Sequence, residues 1–101
     1  MGGSIEIQRP QIETTPRDKS AEKFESGYLV VCWNDPVNLM PYVTHVFQVV
    51  FGWERAKAER HMREVHEKGK STLVRETFEK AEFYVHQLQK YSLQATLEKD
   101  E

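Results

Sequence analysis

The chain has 101 residues, of which 39% are hydrophobic and 11% aromatic, with a formal net charge of −2 and a sequence pI of about 6.1. That length holds one domain with a modest core and little room for a deep active-site cleft. The charge balance excludes an overall basic footprint for nucleic acid or anionic membrane, and no apolar run approaches the roughly 20 residues that span a bilayer.

The N-terminus lacks an apolar h-region and carries acidic residues early, which argues against a secretory signal or a transit peptide. The single cysteine, Cys32, sits in an apolar stretch without a partner, as expected of a structural thiol in a reducing compartment. Both features place the chain in the cytoplasm.

Residues 1–26 mix Gly, Pro, Thr and Ser with alternating charges, and their sizeable apolar groups are Ile5, Ile7, Ile12 and Phe24. Such a segment buries too little surface to offset its ordering entropy and reads as a disordered tail ahead of a core domain at 27–101. Tyr28 to Trp33 is β-branched and aromatic, the composition of a strand. Asn34-Asp35-Pro36 ends it, because Pro36 removes a ladder donor and holds Asp35 extended.

Asn38 is the expected N-cap of a first helix, with Pro41 tolerated in its first turn. Val43, Val46, Phe47, Val50 and Phe51 recur at helical spacing up to Gly52. A second helix is expected over Trp53 to Lys68, with Ala58, Met62 and Val65 as its apolar stripe and Gly69 as its stop. Glu59/Arg63 and Glu64/Lys68 fall at i, i+4 on its other faces, the pattern of a solvated surface.

Ser71 to Val74 reads as a short strand. Arg75 to Tyr91 reads as a third helix that buries Phe78, Ala81, Val85 and Leu88, and Leu93-x-Ala95-x-Leu97 alternates as a last strand. The order is β-α-α-β-α-β. So few strands need helices to cover them, which gives a compact α+β fold.

Several residues that could carry chemistry fall where these elements end. Asn34 and Asp35 follow the first strand, Met40 opens the first helix, Met62, Val65 and His66 share the second, and Leu93 starts the last strand. Brought together, they make a small apolar pocket with acceptors at its rim. Each also has an ordinary role: methionines fill core gaps, and Asn-Asp-Pro is common turn chemistry.

His61 and His66 are about 140° apart around a helix and cannot share a metal ion as an i, i+4 pair does. No serine or cysteine has an evident base beside it. The residues by themselves therefore describe a binding module without metal, cofactor or catalytic group.

The stretch "VVCWNDPVNLMPYV", followed by "FGWERAKAERHMREVHEKGKS" and a closing "LQATLEKD", resembles the ClpS family. Those proteins are adaptors that hand N-end-rule substrates to a ClpA- or ClpC-type AAA+ unfoldase and the ClpP protease. The resemblance covers Tyr28 to the C-terminus. It implies an α+β fold in which three helices pack on a three-stranded antiparallel sheet. It also implies a monomeric, non-enzymatic protein whose pocket takes a first residue of Leu, Phe, Tyr or Trp.

By the same resemblance, Asn34 and His66 bind the free α-amino group, and Asp35 is the rim acid. Met40 is the gatekeeper, while Val43, Met62, Val65 and Leu93 line the pocket. Glu79 and Glu82 fall where family members contact the unfoldase's N-terminal domain. Pro36 departs from the pattern, since many members carry a second acid there. The alternative is an interaction module of the same fold, like the C-terminal domain of the ribosomal stalk protein, with another partner and no N-degron pocket.

Overall fold

The computed structural model of the chain describes residues 26–100. The expected tail lies outside the described residues, apart from Ser26, which opens the first strand. The elements run β1 (Ser26–Trp33), α1 (Met40–Phe51), α2 (Arg55–Lys68), β2 (Lys70–Thr77), α3 (Phe78–Lys90) and β3 (Gln94–Lys99). β1 is central, with β2 and β3 antiparallel on either side, so the α+β fold expected from the sequence is the one observed.

Val30 pairs with Val74 and Leu97, and Cys32 with Ser71 and Ala95. Alternation along these strands turns Val30, Cys32, Leu73 and Ala95 toward the helices. There they join Val46, Phe47, Ala58, Val65, Ala81, Val85 and Leu88 in one buried cluster. Phe47 and Leu88 are fully buried, and removing each from water contributes roughly 1.5–3 kcal/mol.

Several boundaries depart from the sequence reading. The helix α1 starts at Met40 with Leu39 as its N-cap and no capping side chain, so Asn38 is not the cap; its amide is engaged elsewhere, as described below. The strand β2 continues to Thr77 instead of stopping at Val74, because antiparallel pairing with Ser26, Tyr28 and Leu29 extends it. The helix α3 therefore begins at Phe78, not Arg75, with the Thr77 side chain accepting from the Lys80 amide, as a capping threonine does. The last strand likewise starts just after Leu93 and reaches Lys99.

Gly69 ends α2 in the left-handed region, at φ 91°, and its amide donates to the Val65 carbonyl. Its own carbonyl accepts from the Asn34 amide at 2.9 Å, which ties the end of α2 to the end of β1.

Beneath that tie is a polar cluster. The Ser71 hydroxyl donates to Glu64 Oε1 at 2.6 Å. Its oxygen then has to accept from His61 Nδ1, which lies at 2.8 Å. Ser71 is 2% exposed, and its proton is directed at a carboxylate rather than a base, so the trio braces α2 against β2 and does not activate a nucleophile. Burial, reinforced by the charge of Arg60, holds the His61 imidazole below its ordinary 6.5. The bond from Ser71 holds Glu64 below the usual carboxylate range.

Two outcomes follow from this architecture. A Cβ at Gly69 meets no atom within 4 Å, so Gly69→Ala carries only the backbone penalty of a non-glycine residue at positive φ. Urea denaturation should show a loss of about 1–2 kcal/mol.

Acid should also weaken the fold through His61. The folded state keeps this ring neutral while the unfolded chain still takes up a proton near 6.5, so stability is full above that value and falls as pH drops below it. Glu64, depressed from 4.5, adds a second loss at lower pH, where the unfolded carboxylate protonates first. The urea midpoint should fall between about pH 7 and about pH 5.5, and fall less in His61→Gln. Equal falls in both proteins would remove His61 as the cause.

Candidate functional site

The strand β1 delivers Asn34 and Asp35 beyond its last pairing, and Pro36 turns the chain away. The Asp35 carboxylate accepts from the Val37 amide at 2.9 Å and from Asn38 Nδ2 at 3.0 Å. The first bond is an Asx-type turn. The Asn38 amide also donates to the Ser92 carbonyl at 2.9 Å, and the Tyr42 hydroxyl donates to the Tyr91 carbonyl at 2.8 Å. These two bonds latch the turn between α3 and β3, where Ser92 sits at φ 71°, onto the start of α1. Leu93, next in the chain, is thereby brought beside the β1 loop.

The result is a concavity of about 310 Å³. Asn34 and Asp35 border it from the β1 loop, Met40 and Val43 from α1, Met62, Val65 and His66 from α2, and Leu93 from the β3 side. All eight pocket residues singled out in the sequence therefore border one space, although they come from four separated segments. Glu79 and Glu82 do not. They lie on α3 beside Phe83, which is exposed, and none of the three borders the concavity.

Val65 and Leu93 are buried, Val43 and Met62 half-buried, and Met40 stands 43% exposed at the mouth. The walls are thus apolar and the rim polar. Among the described residues, neither the Asn34 side-chain amide nor the His66 ring has a hydrogen-bond partner, and both are exposed. The Asp35 carboxylate, by contrast, is held by the loop that it shapes.

Cys32 also borders the concavity. Burial first, and the charge of Asp35 second, push its thiol up to about 12, so it is a protonated apolar wall and not a nucleophile. Among the described residues no group of three or more His, Cys, Asp or Glu is placed to hold a metal ion, and no helix is long and apolar enough to cross a membrane.

Sequence reasoning missed Cys32, Trp33, Asn38 and Leu39 as further lining residues, whereas Pro36, set at the rim by the family resemblance, does border the space. The spacing of Asp35 and Asn38 across a proline turn was the available sign for Asn38. Nothing in the sequence pairs Asn38 with Ser92, which is 54 positions away.

The chain matches the family model described as "ATP-dependent Clp protease adaptor protein ClpS" over residues 23–97. It is 42% identical over 80 residues to the ATP-dependent Clp protease adapter protein ClpS of Nocardia farcinica, covering 79% of this chain and 76% of that one. It is 41% identical over 100 residues to that of Rhodococcus opacus, covering 99% and 87%. Its fold superimposes on Agrobacterium tumefaciens ClpS2, solved bound to L-phenylalaninamide, with a TM-score of 0.69 at 24% identity, over 75% of this chain and 100% of that one. The chain belongs to the ClpS family of adaptors of the ATP-dependent Clp protease.

Proposed function

We propose that the concavity between β1, α1, α2 and Leu93 captures the free N-terminus and first side chain of a polypeptide. The chain then presents that polypeptide to a ClpA- or ClpC-type unfoldase in the cytoplasm. The observation that carries this reading is the meeting of two unpartnered polar groups, Asn34 and His66, at the rim of an apolar pocket sized for one side chain. The Agrobacterium protein of the same fold is named as bound to L-phenylalaninamide, a compound with a free amine and an aromatic side chain.

A free α-amino group has a pKa near 7.7–8.0 and is mostly a cation with three donors at neutral pH. The Asn34 side-chain oxygen and an unprotonated His66 nitrogen are acceptors of the right kind. Asp35 has its oxygens engaged by Val37 and Asn38, so it serves by its negative field and by holding the loop. Pro36 stands where many relatives have a second acid, which leaves amine selection to Asn34, Asp35 and His66. Burial of a Leu, Phe, Tyr or Trp side chain against Val43, Met62, Val65 and Leu93 supplies roughly 1.5–3 kcal/mol. With so few contacts, affinity is about micromolar.

The outer face of α3, with exposed Glu79 and Phe83 and half-buried Glu82, lies apart from the pocket. It supports contact with the N-terminal domain of the unfoldase while a substrate is held. The protein acts as a monomer and binds neither nucleic acid nor membrane.

Peptides beginning with Leu, Phe, Tyr or Trp should bind in fluorescence anisotropy, and their N-acetylated twins should bind worse by about 1–3 kcal/mol, because acetylation removes the cation and leaves acceptors unpaired. Asn34→Ala should weaken binding of the free peptides by a comparable amount with the circular dichroism spectrum unchanged, since its backbone amide still reaches Gly69. Equal affinity for acetylated and free peptides would end the reading.

Met40→Ala should broaden specificity. The partly exposed Met40 side chain at the mouth opposes the second substituent on Cβ of Ile or Val, which is fixed close to the peptide backbone. Peptides beginning with Ile or Val should gain affinity in this variant. A fall in Leu binding without that gain would make Met40 a packing residue only.

A further inference from the structure

A second concavity, of about 400 Å³, lies between α1 and α2 and is bordered by Met40, Thr44 and Gln48 on one side and by Arg55, Glu59 and Met62 on the other. Met40 and Met62 border the first concavity as well, and they are the residues the two spaces have in common. The partition between them is therefore made of two unbranched thioether chains, which repack more readily than any branched side chain. Met40 is partly exposed, and Met62 is half-buried at the edge of the core, so each has open space on both sides of the partition.

Behind this partition stands Thr44. It is 6% exposed, and its hydroxyl oxygen is sealed from solvent without a hydrogen-bond partner among the described residues. A dry, unpaired hydroxyl disfavours the folded state. Valine has almost the same shape and would fill the place without that cost. Packing alone therefore gives no reason for the oxygen. Among the other polar groups around the second space, His45 and Arg55 are exposed, Gln48 is half-buried, and Arg55 pairs with Glu59 at 3.0 Å.

We infer that the Thr44 hydroxyl is the receptor for the polar tip of a long first side chain: the phenol O–H of Tyr, or the indole N–H of Trp, donates to Thr44 Oγ1 past a displaced Met40–Met62 partition. The second concavity is the room into which the displaced methionine tips move. This rests on the proposed capture of N-terminal residues in the first concavity and adds a selectivity to it. Leu and Phe occupy the apolar part and leave Thr44 as it is. Tyr and Trp gain one hydrogen bond for a group that would otherwise be stripped of water. A site with a buried polar group waiting for a donor discriminates against the analogue that lacks one.

The test uses the full-length protein and three peptides that differ only in their first residue, Leu, Phe or Tyr, with binding read by fluorescence anisotropy. In Thr44→Val the ratio of Tyr to Phe affinity should fall by roughly fivefold relative to the wild type. Thr44→Ser, which keeps the hydroxyl, should hold the wild-type ratio. Thermal melting of the same proteins reports the packing role separately, and Thr44→Val should melt no lower than the wild type.

An unchanged Tyr-to-Phe ratio in Thr44→Val, whatever its melting temperature, overturns the inference while leaving N-terminal capture intact. Failure of the wild type to bind the Leu and Phe peptides overturns capture itself and the inference with it.

Discussion

The site depends on one backbone hydrogen bond, from the Asn34 amide to the Gly69 carbonyl at 2.9 Å. It joins the first residue after a strand to the first residue after a helix. Gly69 can accept there because it takes φ 91°, which reverses the chain so that α2 ends and β2 begins without a loop. His66 stands in the last turn of that helix, and Asn34 carries the bond itself. Two side chains 32 positions apart in sequence are thus brought to the border of one concavity by a contact that involves neither. The polar rim is a consequence of how a helix is stopped.

The opposite wall is built by a second set of constraints. Asp35, placed by Pro36 at the turn, accepts from Val37 and Asn38, and Asn38 reaches on to Ser92. The carboxylate is therefore more a structural hub than a free ligand. This arrangement fixes the loop before any substrate arrives, so its ordering entropy is spent in folding rather than in binding. It also keeps a negative charge near the mouth without leaving it free to trap a metal or a lysine side chain. Pro36 contributes to the same stiffness, since its ring fixes φ at the place where the strand must end.

Much of this was legible in the sequence, and the parts that were not share a cause. The buried helix stripes follow from 3.6-residue spacing, and Phe47, Ala58, Val65, Ala81, Val85 and Leu88 are all core residues. Gly52 and Gly69 mark helix ends because left-handed backbone is nearly theirs alone. Where local rules failed, a distant partner had decided. Asn38 looks like an N-cap, but Asp35 and Ser92 hold its amide. Arg75 and Glu76 look helical, but pairing with Leu29 and Tyr28 keeps them in β2. Seven of the eight pocket residues stand out as element ends that could converge, but their roles, and Val43, came from resemblance to a family, because periodicity says which face a residue takes and not which faces meet. Thr44 carries no sign in the sequence at all. Its significance is an unpaired oxygen, visible only once every neighbour is in place.

An adaptor that holds a substrate by little more than one side chain and one amine cannot rely on tight binding. For the role proposed, this is an advantage rather than a defect. A first residue buried at roughly 1.5–3 kcal/mol leaves readily, and a substrate must leave if an unfoldase is to take it. Delivery then depends on proximity, because a bound substrate and a docked unfoldase share one scaffold and meet at an effective concentration far above that in solution. The fold supplies the geometry for this. The helix α3 packs on the sheet through Ala81, Val85 and Leu88, which leaves Glu79 and Phe83 exposed and Glu82 half-buried, while the pocket draws on none of them. In the proposed role, the two faces share only the core, so occupancy of one need not disturb the other.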